Sequence, residues 1–440
     1  MLGGTYHPVD QDLFLRFFRT GHILGAVAVA VYWGPKGPQQ RSITFSGDIG
    51  PCAEDSEHLP FLRFRQHPVA CDYAVVESTY GGRKRSAEET DPESRREQLS
   101  KLIDRTIDGK GTLILPSFAL GRTQDVLFDL HWIVAQNPAK YGCVKYYLDA
   151  PTARRIHEVL LPALERTETN GRNGKVRPLW LGKQMFRVFG LEDANPDHVQ
   201  RVLDIAATTL GISREGAKSR ASIGNDIAQA WRPILTIVKD RDELLTEGLA
   251  QPCVLVTGSG SCDGGPAQKW LPELLGSPGT TVAMTGYCPP SSVSGQLYAL
   301  RTTPLGERER HMGHISWASS SSYPIAEIRA SIEKLNGYSA HADQEGLLDW
   351  LFWLFKERWN ASGRTIFIQH GEDTQRTLLM DATKQRASDL GLETSVILPT
   401  PTPLWFDLDK GEYEVDRQAE KTALLEKIAR LQNELCLLAD

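Results

Sequence analysis

Five polar residues stand where apolar runs of the sequence end, and their side chains are of types that bind metal ions or transfer protons. They are His22 in TGHILGA, Asp48 in SGDIG, Glu77 in ESTYGG, His341 in YSAHAD and His370 in QHGED. Each one alone also fits a structural role, as a hydrogen-bonded loop residue, a turn residue or a helix cap. Together they supply the imidazole and carboxylate ligands that zinc-like ions take in water-activating sites. The set therefore predicts a metallo-hydrolase.

The segments that would position these residues are short apolar strands alternating with amphipathic helices. This alternation predicts an α/β architecture, in which ligands bind where strands end. A helix follows FALGR, another is expected at 343–358, and 165–245 is more helical and polar, with a loop at 170–174. Strands are predicted at 26–33, 43–45, 73–76, 112–115, 144–148, 253–256, 281–284, 328–332, 366–368 and 395–398.

Composition and charge argue against a membrane-spanning protein and against tight non-specific binding to nucleic acid. A length of 440 residues predicts two or three domains, and a net charge of −6 gives no reason to expect tight non-specific binding to nucleic acid. A nuclease is not excluded, because a bound metal adds local positive charge. Seven scattered cysteines, none spaced CxxC, favour a reducing compartment. The longest apolar run, 23–33, is too short to cross a bilayer, so we expect a cytoplasmic protein with no membrane contact.

The order of nine motifs resembles the β-CASP branch of the metallo-β-lactamase fold, a family of RNA-processing nucleases. The motifs extend over residues 6–399 and are TGHILGA, SGDIG, ESTYGG, LPSFALGRTQD, LDAPTA, SGSCDGG, TGYCPP, GYSAHAD and QHGE. The resemblance implies a partial αββα sandwich with an inserted α/β domain. The metallo-β-lactamase domain would occupy 1–80 and 338–405, the β-CASP domain 81–337, and a charged segment with an amphipathic helix 406–440.

The same resemblance implies the roles of the five residues in hydrolysis of an RNA phosphodiester. His22 matches a ligand of the first of two zinc ions, His370 a ligand of the second, and Asp48 the carboxylate that bridges them. His341 matches the histidine that protonates the leaving oxygen, and Glu77 the acid that holds it. In the family, a histidine at the position of His370 accompanies cleavage of RNA rather than DNA.

Two further residues are candidates for substrate binding. Arg122 follows FALG at the start of a predicted helix, where a guanidinium could contact phosphate or pair with Asp125. Ser339, in the turn before His341, could hold a phosphate oxygen or serve only to start a helix. The residues alone leave both alternatives open.

The family's HxHxDH motif, which supplies most of the metal ligands, does not occur in these 440 residues. The beginning of the sequence resembles the strands just before GHxxG, so we expect about 100 residues of the metallo-β-lactamase domain to be absent. His22, Asp48 and His370 are too few for tight binding of two ions. We therefore expect this chain alone to be weakly active or inactive, with low zinc occupancy.

Three explanations for the absent motif compete. The chain is a fragment of a longer product, a short protein completed by a partner chain or segment, or a degenerate binding subunit. Retention of all five site residues favours recent loss or separation.

The alternative functions are a non-catalytic RNA-binding or scaffold subunit and a small-molecule metallo-hydrolase. A small-molecule hydrolase would not need the block at 81–337. The spacing of Leu424, Ile428, Leu431 and Leu435 predicts a terminal helix that packs on the body or forms a homodimer contact.

Overall fold

A computed structural model of the chain describes residues 7–36, 40–51, 59–63, 65–67, 71–169, 176–317, 321–353, 364–400, 405–408, 410, 412–414, 425, 427 and 428. Three sequence predictions lie wholly or partly outside these residues: the loop at 170–174, the helix beyond 353, and the terminal helix with Leu424, Leu431 and Leu435. No helix within the described residues is long and apolar enough to cross a membrane.

The strands in chain order, labelled β1 to β19, are His7–Asp10, Leu13–Arg19, Val27–Trp33, Arg41–Phe45, Tyr73–Val76, Thr112–Pro116, Lys145–Asp149, Thr167–Thr169, Val176–Pro178, Leu235–Ile237, Cys253–Thr257, Thr280–Met284, His314–Ser316, Ser322–Pro324, Ser331–Lys334, Arg364–Ile368, Thr394–Ile397, Trp405–Asp407 and Glu412–Glu414. The helices, labelled α1 to α14, are Ala87–Thr90, Pro92–Asp108, Arg122–Gln136, Pro138–Tyr141, Pro151–Leu164, Lys183–Arg187, Pro196–Thr209, Asp226–Ala230, Arg241–Glu247, Ala267–Leu274, Val293–Ala299, Leu305–Arg308, Gln344–Phe352 and Asp373–Asp389. Short 3₁₀ turns occur at Ala217–Arg220 and Ile325–Glu327.

A seven-stranded mixed sheet has the order β1-β2-β3-β4-β5-β16-β17. Strands β2 and β4 are both antiparallel to β3, and β5, β16 and β17 continue parallel to β4. The carboxyl ends of β2, β4, β5 and β16 therefore meet at one edge. Alternation in VAVAVYW buries Ala28, Ala30 and Tyr32 of β3 on one face. Helices α13 and α14 cover that face, with Trp350 and Leu379 in the shared core.

A six-stranded sheet, all parallel, has the order β10-β7-β11-β6-β12-β15. Every residue of its central strands β6 and β11 is buried, as expected for a parallel sheet with helices on both faces. Leu115, Val254 and residues of α2 and α3 form one core, and Ile114 and Val282 form another with α10 and α11. The expected α/β fold is confirmed. The proposed domain limits at 80/81 and 337/338 fall in connections between the two sheets, and the limit at 405/406 falls within β18. All three limits stay predictions.

The sequence placed one strand wrongly. Ile328, Ala330 and Ile332 alternate with polar residues and are all buried, but β15 begins only at Ser331. The backbone N–H groups of Arg329 and Ala330 both donate to the carbonyl of Leu275, at 2.9 and 3.0 Å, instead of joining a strand ladder. The chain bends there, so alternating burial arises from a turn followed by a shorter strand.

Candidate metal centre

Asp48 lies between two histidines at the edge where β2, β4, β5 and β16 end. Its Oδ2 is 3.6 Å from Nε2 of His22, and its Oδ1 is 3.7 Å from Nε2 of His370. The carboxylate side chain is 41% exposed, so it remains open to the solvent side of the site. One carboxylate thus faces two imidazoles through its two different oxygens, although the imidazoles come from distant parts of the chain.

The position of His22 depends on close contact between two loops. Gly21 has φ +72°, which glycine adopts readily, and a Cβ on Gly50 would lie only 1.8 Å from the carbonyl oxygen of Gly21. The N–H of Gly50 donates to the carbonyl of Thr20 at 2.8 Å. The loop that carries His22 therefore lies directly on the loop that carries Asp48.

The hydrogen bonds of His22 determine which nitrogen faces the site. Its Nδ1 is 2.7 Å from the carbonyl oxygen of Ala340, which can only accept, so Nδ1 carries the proton and Nε2 presents its lone pair toward Asp48. Burial lowers the pKa of His22, and the neighbouring His341 lowers it further. The neutral imidazole is thereby favoured, which is the form that binds a metal ion.

Glu77 holds His341 in a buried carboxylate–imidazole pair. Nδ1 of His341 lies 3.1 Å from Oε2 and 3.2 Å from Oε1 of Glu77, whose side chain is 2% exposed. Glu77 also accepts a hydrogen bond from the N–H of Ile49 at 2.6 Å. Burial alone would raise the pKa of Glu77, but its hydrogen bonds, chiefly the one from His341, lower it below the usual value. The pair leaves Nε2 of His341 available to the site.

The most compact group of potential ligands is His22, Asp48 and His341. Their ligand atoms all lie within 4.8 Å of one another, and the rings of His22 and His341 are 4.4 Å apart between centroids. Two imidazoles and one carboxylate suit a zinc-like ion and leave a coordination position open. This donor chemistry fits a metal. The group differs in one member from the ligand set implied by the sequence, which named His370 instead of His341.

His370 is the most exposed of the five residues. Its side chain is 62% exposed, and its backbone has φ +54°, which is uncommon for a residue other than glycine. The next residue, Gly371, packs on Ser78, whose Oγ would be 2.7 Å from an added Cβ. The strained turn directs His370 toward Asp48, and its role as a metal ligand stays a prediction.

The two candidates for substrate binding differ in their surroundings. Arg122 is 4% exposed and donates to the buried carboxylate of Asp125 at 2.9 Å, so its guanidinium forms the ion pair that was one of the two alternatives. Burial raises the pKa of Asp125 to about 6, against the opposing effect of Arg122. Ser339 is partly buried, and its hydroxyl accepts a hydrogen bond from the N–H of His341 at 3.4 Å. For both residues, contact with phosphate stays a prediction.

His341 does not follow a strand of the seven-stranded sheet, as the other four residues do. It follows β15, the edge strand of the six-stranded sheet, in the connection to α13. Arg85 holds this turn by donating to the carbonyls of His341 and Ser339. Tyr338 anchors it on the other side by a hydrogen bond to Asp129. Sequence reasoning missed Arg85 and Tyr338, although Arg85 lies within the charged run RKR just after ESTYGG.

Two family models match the chain over two separate stretches. A model described as the Beta-Casp domain matches residues 123–297, most of the six-stranded sheet and its helices. A model described as the Zn-dependent metallo-hydrolase RNA specificity domain matches residues 325–395, which carry His341 and His370. The second description associates this part of the site with metal-dependent hydrolysis.

Curated relatives match nearly the whole chain. Ribonuclease TTHA0252 from Thermus thermophilus is 25% identical over 399 residues, which cover 88% of this chain and 71% of the relative. The transcription termination factor FttA is 21% identical in both Pyrococcus abyssi and Methanothermobacter thermautotrophicus. Those matches cover 79% and 90% of this chain, which spans only 43% and 51% of the two FttA proteins. The chain belongs to the β-CASP family of metallo-β-lactamase-fold proteins.

Proposed function

We propose that this chain is a metal-dependent hydrolase of RNA phosphodiester bonds, with zinc as the metal. The observation that supports this most directly is the convergence of His22, Asp48, His341 and His370 around one site, with Glu77 buried behind His341. These groups combine metal ligands with a proton donor, as hydrolysis of a phosphodiester requires. We propose a cytoplasmic location because the scattered cysteines favour a reducing compartment.

In this proposal His22, Asp48 and His370 hold the metal. A divalent ion bound there would polarise a phosphate oxygen and lower the pKa of water. His22 presents Nε2 because Ala340 fixes the proton on Nδ1, and such a partner typically orients a ligating imidazole. Asp48 can serve two ions because its two oxygens face two imidazoles.

His341 would donate the proton that the leaving oxygen needs. Its Nδ1 is occupied by Glu77, so the proton would leave from Nε2, on the side of Asp48 and His22. The role of Glu77 is to hold the ring of His341 by its Nδ1, so that Nε2 faces the reacting atoms as a general acid must.

RNA is the proposed substrate for two reasons. The description of the model matched by residues 325–395 names RNA specificity, and a relative that covers 88% of this chain is named a ribonuclease. Each FttA protein is about twice as long as the region that this chain matches. We therefore do not propose that this chain terminates transcription.

The test is a cleavage assay on 5′-labelled single-stranded RNA with the purified chain, after loading with Zn²⁺ or Mn²⁺ and after treatment with a chelator. The same assay should be repeated on the chain extended by any in-frame upstream codons, since an HxHxDH motif there would complete the ligand set. We expect metal-dependent cleavage that is weak or absent in the chain alone, is increased in the extended form, and is abolished in both by Asp48→Ala. The matched control Glu333→Gln changes an acid in an exposed ion pair with Arg105 and should cleave normally.

Three results would contradict the proposal. RNA binding without cleavage, in metal-loaded short and extended chains alike, would favour a non-catalytic RNA-binding subunit. Cleavage that persists in Asp48→Ala would place the active site elsewhere or indicate a contaminating nuclease. Hydrolysis of lactones or other small esters without cleavage of RNA would favour the small-molecule alternative.

A further inference from the structure

Phe118 exposes an aromatic ring at the carboxyl end of a buried parallel strand. The residues of β6 are all buried and Ser117 is fully buried, whereas Phe118 is 42% exposed. Single exposed apolar residues are common and need no explanation by themselves. The carboxyl ends of strands in an open parallel sheet, however, are where such folds bind ligands. The surroundings of the ring therefore decide what it can do.

Two glycines support one edge of this ring. Gly260 follows β11 and Gly286 follows β12, the two strands that flank β6 in the sheet. A Cβ added to Gly260 would lie 2.8 Å from Cδ2 of Phe118, and one added to Gly286 would lie 3.1 Å from Cε2. Because both glycines meet the same edge, bare backbone fixes the orientation of the ring and leaves other parts of it exposed.

A positive charge lies beside this support. The ammonium group of Lys334, on β15, donates a hydrogen bond to the carbonyl oxygen of Gly286. Proteins that bind single-stranded nucleic acid combine such cations, which attract phosphates, with aromatic rings on which bases stack. Phe118 and Lys334 form this combination across the ends of β6, β12 and β15.

Segments next to the ring contact loops of the candidate metal centre. A Cβ on Gly121, three residues after Phe118, would be 3.1 Å from Cγ2 of Ile23, which follows His22. Tyr287, next to Gly286, donates its hydroxyl hydrogen to Oε1 of Glu372 at 2.6 Å, two residues after His370. The segment after Phe118 and the loop that carries Gly286 thus contact the loops that carry His22 and His370.

We propose that Phe118 is a stacking platform for one base of a single-stranded RNA, in a nucleotide that flanks the bond to be cleaved. This inference rests on the proposed function, because it takes RNA as the ligand. A base has a flat π face whatever its identity, so stacking on Phe118 would bind the strand without selecting a sequence. Lys334 would attract the backbone of the same segment of RNA.

The test measures binding of the full chain to RNA of about 12 nucleotides, by fluorescence anisotropy without divalent ions, so that no cleavage occurs. A series of RNAs carries an abasic residue at each successive position. We expect the wild-type affinity to fall about 5- to 150-fold at one position, the range expected for loss of one stacked base. Phe118→Ala should weaken binding of intact RNA by the same factor. The affinity of this variant should not fall further when the abasic residue is at that position.

Three further variants sharpen the result. Phe118→Trp should retain both the affinity and the abasic sensitivity. Gly286→Ala keeps the phenyl ring but displaces it, so it should weaken binding as Phe118→Ala does. Trp405→Ala removes an aromatic side chain that is 76% exposed on the separate hairpin β18–β19 and should bind RNA as the wild type does. Thermal melting of each variant checks that the fold is intact.

The outcomes separate this inference from the proposed function. If the wild type binds RNA and Phe118→Ala binds equally well with unchanged abasic sensitivity, the stacking role is overturned and the proposed function stands. If the wild type, in its short and extended forms, binds no RNA, both fall together. A loss of affinity in Phe118→Ala that is the same for intact RNA and for every abasic RNA would show that the ring does not stack on a base.

Discussion

Tyr338, three residues before His341, donates a hydrogen bond of 2.8 Å from its hydroxyl to the buried carboxylate of Asp129. The two residues are 209 positions apart in the chain. Asp129 also accepts from Nε of Arg95 at 2.6 Å and from Nε of Arg96 at 3.1 Å. Burial alone would raise the pKa of Asp129, but the two arginines lower it below its usual value. This cluster ties helices α2 and α3 to the turn that presents His341.

Tyr338→Phe should therefore loosen the turn without removing any group from the metal centre. Asp129 keeps its arginine partners, so we expect a loss of about 1 to 2 kcal/mol in the free energy of unfolding. RNA cleavage should fall more than RNA binding, because His341 loses its fixed position. Urea unfolding and single-turnover cleavage measure the two effects.

Tyr146→Phe is the matched control for this variant. The hydroxyl of Tyr146 is also buried and donates to the carbonyl oxygen of Tyr141 at 3.1 Å, within the β-CASP core. We expect a similar loss of stability with unchanged cleavage per folded molecule. Equal loss of cleavage in both variants would mean that Tyr338 acts only through general stability.

The contact between Gly50 and Gly21 makes a second prediction. A methyl group on Gly50 would lie 1.8 Å from the carbonyl oxygen of Gly21 and 2.5 Å from the backbone nitrogen of His22. Gly50→Ala must force these loops apart, at a cost of about 1 to 3 kcal/mol or more. His22 and Asp48 would separate, so the affinity for Zn²⁺ should fall when measured by calorimetric titration.

Gly306→Ala provides the control, because a Cβ there would meet nothing within 4 Å and Gly306 lies in helix α12. We expect unchanged zinc affinity and unchanged or slightly raised stability, since alanine favours helix. Normal zinc binding by Gly50→Ala would show that the close approach of the two loops does not determine the geometry of the ligands.

The role of His341 can be separated from that of a ligand. If His341 is the proton donor, His341→Ala should retain bound zinc and lose about 10²- to 10⁴-fold in cleavage. His370→Ala should lose both zinc and cleavage. Zinc content by mass spectrometry, measured beside the cleavage rate, distinguishes the two. Loss of zinc in His341→Ala but not in His370→Ala would instead identify the compact group of His22, Asp48 and His341 as the ligands.

Glu77→Gln preserves the shape of the side chain but removes its charge. The neutral amide holds Nδ1 of His341 more weakly than the carboxylate does, so we expect cleavage to fall about 10- to 100-fold, as is typical when a partner behind an active imidazole is changed. The expected change in zinc content is small. An unchanged cleavage rate would contradict the assignment of Glu77 as the residue that holds and stabilises His341.

Part of this site could be predicted because local sequence decides it. His22, Asp48, Glu77 and His370 each follow a strand of one sheet, and strands that run in the same direction bring their ends together. The convergence of these four therefore follows from the order of apolar runs and polar ends. His341 follows a strand of the other sheet, so its approach depends on how the two sheets pack, which no local pattern specifies.

The supports of the site were less accessible to prediction for a similar reason. Arg95 and Arg96 lie in the charged stretch PESRREQ, which is typical of a solvated helix face, yet both are buried on Asp129. Pairing of distant charges leaves no periodic signal in a single sequence. Phe118 likewise lies in the largely apolar segment LILPSFAL, and only its exposure and the glycines packed on its edge distinguish it from a core residue.

A histidine remote from the site should make stability depend on pH. His157 is 1% exposed; its Nδ1 donates to the carbonyl of Leu210 at 2.9 Å, and its Nε2 accepts from the amide of Gln124 at 2.9 Å. Protonation of Nε2 would place a second N–H group opposite the N–H of the Gln124 amide, so this hydrogen bond would be lost. Burial lowers the pKa of His157 to about 4. The unfolded chain, with a pKa of about 6.5, binds this proton first, so stability is lost as the pH falls below that value.

The expected loss from His157 alone is about 2 kcal/mol between about pH 7.5 and pH 5, by proton linkage. His157→Gln should lower the free energy of unfolding at neutral pH. Between about pH 7.5 and pH 5, that free energy should then fall by about 2 kcal/mol less than in the wild type. Some fall remains, because burial also lowers the pKa of His131 to about 4. Urea unfolding at several pH values measures the slope, and the control His314→Gln, at an exposed position, should keep the wild-type slope. A wild-type slope in His157→Gln would show that this histidine is not buried in its neutral form.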